Sequence, residues 1–205
     1  MGEKSFAEVE KNLRERGFGV KCFETAAEAA AYLDSQIDGQ TVGFGGSVTL
    51  EEMGLYDLLS RHNQVYWHWQ PGASKEEQKK ARFLASEASV YLSSVNGLAE
   101  TGEIINIDGT GNRVASMFYG HKKVYLIAGE NKLAEDYDRA LWRARNIASP
   151  LNAKRLGVKT PCAVKGDRCY DCKSPERICR GLAVLWDRPK GAEYEVILIH
   201  EKLGY

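Results

Sequence analysis

The stretch Glu100–Arg113, ETGEIINIDGTGNR, concentrates groups that could do chemistry. A buried glutamate at position 100 could act as nucleophile or general base, whereas an exposed one would cap a turn or pair with a cation. Asp108 could orient Arg113 or cap the segment that follows it, the common use of Asp before glycine. Arg113 could clamp a carboxylate or phosphate with two parallel N–H donors. Thr101 and Asn112 add polar groups to the same turns. Gly102, Gly109 and Gly111 allow backbone shapes and close approaches that a Cβ resists. The competing expectation is two tight turns around a buried strand.

A second candidate is Thr41–Thr49, TVGFGGSVT, in which an apolar strand runs into Gly45, Gly46 and Ser47 before a helix start marked by Thr49. Ligands of open α/β sheets gather at the carboxyl ends of strands, where glycines let an anion approach the backbone. No Gly-Lys-Ser/Thr follows and the third glycine of a dinucleotide fingerprint is missing, so neither motif is present. Lys132, just beyond the strand that ends near Gly129, could place an ammonium over the same crevice.

A third candidate is the spacing Cys162-x6-Cys169-x2-Cys172-x6-Cys179. Four thiolates form the ligand set of a structural zinc or an iron–sulfur cluster. The central Cys-x2-Cys fits, but the six-residue gaps match neither the usual zinc pairs nor a ferredoxin run. Free or redox-active thiols are the alternative. Cys22, alone on an expected strand, reads as a small buried hydrophobe. His68 ends an aromatic run, Tyr66–Trp69, where it could face the crevice or be a satisfied core histidine. Arg139 and Arg143 read as the solvated face of a helix.

These groups need a scaffold, and the pattern supplies one. Ser5-x-x-Glu8, Thr25-x-x-Glu28, Thr49-x-x-Glu52 and Ser74-x-x-Glu77 each fit a capping box at a helix start. Between them and beyond lie β-rich runs at about 18–23, 40–45, 64–69, 89–93, 103–107 and 123–128. A helix is expected over about 133–148, broken by Pro150. Two last β-rich runs, 182–186 and 194–200, flank Arg188–Ala192 and suggest a hairpin-like pair. The fold class is therefore α/β, a mainly parallel sheet with helices on both faces, in one domain over residues 1–205 with a cysteine-bearing segment at 160–180.

Lys plus Arg and Asp plus Glu both number 28, so bulk charge points to neither nucleic acid nor membrane. No run is long and apolar enough for a membrane span, and the polar start does not read as a signal peptide. Phe6 stands where a myristoylation motif needs a hydroxyl residue. A cytoplasmic location is expected, with reduced cysteines.

Three blocks carry a family resemblance: GFGGSVTLEEMGLYDLL, then VNGLAETGEIINIDGTGNRVASMFYGHKKVYLIAGENK, then RALWRARNIASPLNAKRL. Together they resemble the LUD domain, the family of lactate-utilisation proteins. That resemblance implies a fold related to CoA-transferases and ribose-phosphate isomerases, in whose relatives the loop matching Gly45–Ser47 holds phosphate. Glu100-Thr101-Gly102 loosely resembles the glutamate nucleophile of some CoA-transferases. The family is tied to oxidation of lactate alongside iron–sulfur partners. The leading expectation is a protein of organic-acid utilisation that binds a small anionic metabolite or cofactor at its glycine turns. The alternatives are a non-catalytic accessory subunit docking on iron–sulfur oxidoreductase components, and a sugar-phosphate or CoA-ester enzyme. Either could be a homo-oligomer.

Overall fold

A computed structural model describes residues 6–205. Helix α1 (Ala7–Glu15) leads into β1 (Gly19–Phe23), α2 (Ala26–Gln36), β2 (Thr41–Phe44), α3 (Val48–Glu52) and α4 (Leu55–Leu59). Next come β3 (Gln64–Tyr66), α5 (Lys75–Ser86), β4 (Val90–Ser94), β5 (Gly97–Ala99), β6 (Ile104–Asp108) and α6 (Asn112–Phe118). Strand β7 (Lys123–Gly129) ends in a 3-10 turn, Glu130–Lys132, before the short β8 (Leu133–Ala134) and α7 (Tyr137–Arg143). A π-helical turn, Ala144–Ala148, joins α7 to α8 (Ser149–Arg155), and α9 (Pro161–Lys165), β9 (Gly181–Leu185) and β10 (Glu193–Ile199) complete the order.

The main sheet has six strands in the order β1-β10-β7-β4-β2-β3, and every pairing is parallel. Its central strands alternate between two cores, as a period of two requires. Val124, Leu126, Val196 and Leu198 pack on one side with Leu13 and Tyr91. Tyr125, Ile127, Ile197 and Ile199 pack on the other with Leu33, Phe44 and Leu50. Fully burying each such side chain contributes about 1.5–3 kcal/mol, so this double layer fixes the frame on which the strand ends sit.

Capping chemistry places two helices as expected. Thr25 and Ser74 both make the reciprocal box with Glu28 and Glu77. Ser5 lies outside the described residues. Thr49 does not cap: α3 starts two residues earlier, where Ser47 Oγ accepts from the Leu50 N–H at 3.3 Å. Thr49 turns inward and donates to the Leu203 carbonyl at 3.3 Å.

The hairpin-like pair of 182–186 and 194–200 is corrected. Strand β10 is buried along nearly its whole length and inserts between β1 and β7, where an uninterrupted apolar run belongs. Strand β9 instead pairs antiparallel with β6 in a second sheet, ordered β8-β5-β6-β9. Strand β6 is likewise not part of the parallel alternation. The tight turn at Glu100–Gly102 folds it back antiparallel on β5, which only a short hairpin connection can do. The second sheet packs Ala99 and Ile105 on Ala140 and Ala144. Pro150 does not break the helix. It falls in the first turn of α8, just after the wide π turn in which Ser149 N–H and Oγ both reach the Ala144 carbonyl. There a missing N–H costs least.

Candidate functional site

A cavity of about 400 Å³ opens where strands of both sheets end. Gly46–Thr49 follow β2, Ser94–Asn96 lie at the end of β4, Asp108–Thr110 at the end of β6, and Lys132 follows β7; all line it. His68 and Trp69 beyond β3, Arg82 from α5, and Asn152 and Arg155 from α8 form further wall, and Arg177–Arg180 cross its rim. The carboxyl ends of β2, β4 and β7 open on one edge because these strands are parallel and each crossover carries the chain back to the opposite edge. Of the expected site residues, Gly46, Ser47, Thr49, Asp108, Gly109, Asn112, Arg113 and Lys132 line one cavity.

Its charge is lopsided. Arg82, Arg113, Lys132, Arg155, Arg177 and Arg180 face Asp108, the only acidic side chain among the described residues that line it. A chain of zero formal charge thus concentrates cations in one concave site, where a low-dielectric wall strengthens their field.

Most of those cations are already engaged. Arg113, expected as a ligand clamp, is committed to the protein. Its terminal nitrogens donate to Asn106 Oδ1, to Asn96 Oδ1 at 3.2 Å, and to the carbonyls of Ile107 at 2.6 Å and Ser94 at 3.4 Å. Asp108 Oδ2 lies 4.0 Å from its Nε. Asp108 itself caps α6: Oδ2 accepts from the N–H groups of Arg113 and Val114 at 3.1 and 3.2 Å, and Oδ1 from Gly109 at 2.6 Å. Burial pushes its carboxyl up, but Arg113 and these backbone donors outweigh that and hold it below the usual range. This pair therefore builds the wall.

The glycines serve the same end. A Cβ at Gly45 would meet Arg113 Cδ at 2.9 Å, and one at Gly109 would meet the Ile178 carbonyl at 2.6 Å. These positions make room for the arginine and for the crossing 177–180 segment, not for a ligand's approach. A Cβ at Gly46 would touch the Trp69 indole at 3.0 Å, over which Arg155 stacks at 4.3 Å. Gly111 takes φ +93 at the N-cap of α6.

Three groups remain with capacity to spare. Arg82 makes no hydrogen bond or ion pair with any described residue, and its Nε is buried without a partner. Sequence offered no signal for it, since an arginine in KKARFLAS looks like any solvated helix face. His68 is buried, and burial, reinforced by Arg82, lowers its imidazole to about 4. It is neutral at physiological pH. Lys132 is 3% exposed. Burial first, then repulsion by Arg143 and Arg113, outweighs the pull of Glu52 and brings its ammonium down to about 7. Its Nζ donates to the main-chain oxygen of Tyr205, the last residue of the chain. Arg143, read as solvated, is buried and ties the strand ends together through the carbonyls of Asn131 and Asn96, each at 2.6 Å.

Glu100, Thr101 and Gly102 do not reach the cavity. Their turn anchors α1: Asn12 Nδ2 donates to the Glu100 carbonyl at 2.7 Å, and Arg16 Nε to the Thr101 carbonyl at 2.8 Å. A Cβ at Gly102, held at φ +97, would strike Arg16 at 2.7 Å.

The four cysteines of 162–179 are free thiols, each in its own setting. Cys162 Sγ lies 3.3 Å from Thr160 Oγ1, Cys169 Sγ faces Arg145, and the carbonyls of Cys172 and Cys179 hold Arg177. Among the described residues no three His, Cys, Asp or Glu side chains are gathered as a metal set. The arrangement thus does not fit the tetrathiolate that the spacing suggested. Cys22 is exposed, not buried, with its Sγ 3.5 Å from Glu10. Among the described residues no helix is long and apolar enough to cross a membrane.

Fold and site together define an α/β protein with a basic cavity across the carboxyl ends of a parallel sheet. The chain belongs to the LUD domain family, whose sequence profile matches residues 6–199. A DUF162 family protein from Deinococcus radiodurans, solved as a crystal structure, is 13% identical with a TM-score of 0.51, over 96% of this chain and 99% of that one. This likeness shows a shared fold. Ribose 5-phosphate isomerase from Plasmodium falciparum is 17% identical over 54% of this chain and 52% of its own, with a TM-score of 0.35. No curated protein matches the chain.

Proposed function

We propose that this LUD-domain protein takes part in organic-acid utilisation by binding a small carboxylate of the lactate–pyruvate type in the strand-end cavity. Arg82 is the observation that carries the reading. It is a guanidinium on the cavity wall whose donors no described residue uses, and a planar donor fork matches a carboxylate. The surrounding cations, though tied to the protein, add to the field that would draw an anion in. The neutral imidazole of His68 beside it can donate or accept a hydrogen bond without adding charge.

A cavity of this volume lies within the range of about 300–1,000 Å³ usual for small-molecule sites, so larger anions belong in the test. The experiment is a thermal-shift panel of lactate, pyruvate, CoA esters, sugar phosphates and nucleotides. A bound ligand at a hundred times its Kd stabilises by about 2.7 kcal/mol, roughly 5–10 °C for a chain of this size. The expected result is a shift with a short organic acid that Arg82→Ala removes. A flat response to every short acid would refute the proposal. A shift with sugar phosphates alone would move the assignment to a phosphate ligand.

A further inference from the structure

A second cavity, of about 420 Å³, adjoins the first at His68, which lines both. Two short stretches form the partition. In the chain that leaves β3, Trp67 and Gln70 face the second cavity and Trp69 the first. On α5, Ala81 faces the second and Arg82 the first. The two cavities differ in chemistry. Tyr56, Tyr66 and Trp67 give the second one aromatic walls, with Val65 and Leu84 beside them. Its charged lining residues, Lys80 and Glu77, do not make it an anion site. Lys80 is exposed, and Glu77 is spent on the Ser74 N–H and hydroxyl, which both donate to it at 2.7 Å. The donors with capacity to spare are neutral: Trp67 Nε1 and Gln70 Nε2 are buried, and no described residue accepts from either. A buried donor left unmet is costly, so it marks where an acceptor belongs. His68 Nδ1 is likewise buried without a partner, so no hydrogen bond at that nitrogen pins the ring between the cavities.

We infer that the two cavities form one composite site for a short carboxylate that carries an aromatic ring, the acid in the first and the ring in the second. The inference rests on the proposed binding of a small carboxylate and narrows its class to aryl-substituted acids of the lactate type. Size allows it, since a cavity of about 150 Å³ takes up benzene and the second cavity is larger. Aromatic walls favour a flat ring over an alkyl chain, through offset and edge-on contacts that an alkyl group does not make. The unmet Trp67 and Gln70 donors favour a ring substituent that accepts, such as a phenolic hydroxyl. The acid has one place to go. The unspent guanidinium of Arg82 lies on the first cavity, and the described residues that line the second include no buried cation.

The test is calorimetric titration of the full chain with lactate, 3-phenyllactate and 3-(4-hydroxyphenyl)lactate, repeated on Ala81→Phe, which puts a ring into the second cavity and leaves the first untouched. The phenyl acid should bind roughly tenfold or more tighter than lactate, the gain that burial of one aromatic group supplies, and the hydroxyphenyl acid tighter again. In Ala81→Phe both aryl acids should fall to the affinity of lactate, while lactate binds as before. A melting curve checks that the variant folds. If it does not, nuclear Overhauser contacts between the ligand ring and the Tyr66 and Trp67 side chains of the unaltered chain decide, and their absence would overturn the inference. Equal affinity for lactate and the phenyl acid would overturn the composite site and leave carboxylate binding standing. An aryl advantage that survives intact in a folded Ala81→Phe would also overturn it, because the ring would then lie elsewhere. No binding by any of the three acids would overturn both readings.

Discussion

Strand β6 carries a glycine turn at each end, and only the one at its carboxyl end reaches the cavity. Both turns hold an acid, a threonine and glycine, so composition does not separate them. Direction does. Asp108–Arg113 opens where the carboxyl ends of β2, β4 and β7 also open. Glu100–Gly102 is the hairpin turn at the other end and docks on α1. With a rise of roughly 3.3 Å per residue, the two turns lie on the order of 15 Å apart. A polar glycine turn is thus a site candidate only after its strand has been given a direction and a neighbour.

The largest expected effect belongs to the carboxyl end. Arg113→Met would strand the acceptors of Asn106, Asn96 and Ile107 and leave Asp108 without its cation. Removing one partner of such a buried set costs about 3–5 kcal/mol, to be read from urea denaturation. A loss below about 1 kcal/mol would mean that the wall does not depend on it.

Next is pH. His68 is held neutral in the fold at about 4, below its ordinary value, so between there and 6.5 the unfolded chain binds more protons. Stability should fall as pH drops through that window, by at most about 3 kcal/mol from this group. His68→Phe should flatten the acid limb in part, with buried His121, lowered in the same direction, supplying the remainder. An acid limb identical in the variant would show that His68 is not held neutral.

The amino end should respond less. Arg16→Ala removes donors to the Thr101 and Trp186 carbonyls and the 2.7 Å pair with Glu103, which is partly open to solvent. A cost of about 1–2 kcal/mol is expected in the same denaturation assay, with ligand response unchanged. Smallest of all, Glu100→Ala should alter stability by no more than about 0.5 kcal/mol, because the backbone carbonyl and N–H of residue 100, not its carboxylate, make the contacts.

Local rules made the frame legible. Thr25 and Ser74 declare their helices through hydroxyl and carboxylate at fixed spacing, and the apolar runs at 123–128 and 194–199 declare buried strands. The convergence of Ser47, Asp108 and Lys132 also followed from strand-end reasoning. What sequence could not supply was long-range pairing. Gly97–Ala99 is too short a strand to leave a period, and nothing local tells β10 to enter the middle of the sheet. Nor does an arginine's sequence context reveal whether its donors are used. Arg113 follows a glycine turn and Arg82 sits in a charged helix, so sequence pointed to the former, and only the acceptors gathered around Arg113 make it structural and leave Arg82 free. The cysteines are a related case: spacing brings thiols near in sequence, whereas the described residues gather no set of three His, Cys, Asp or Glu for a metal, and the segment carries Asp171 at φ +45 with its Arg145 and Arg177 pairs.

The central claim is that the carboxyl-end turn builds an anion site in which Arg82 is the unspent clamp. Calorimetric titration of the short carboxylate that gives the largest thermal shift, into the Arg82→Ala and Glu100→Ala variants side by side, tests it most directly. Truncating one partner of a hydrogen-bonded charge pair weakens binding by about 2–5 kcal/mol, so Arg82→Ala should lose binding at least tenfold while Glu100→Ala binds as the unaltered chain does. Binding that survives Arg82→Ala and vanishes with Glu100→Ala would place the site at the wrong end of β6 for this account.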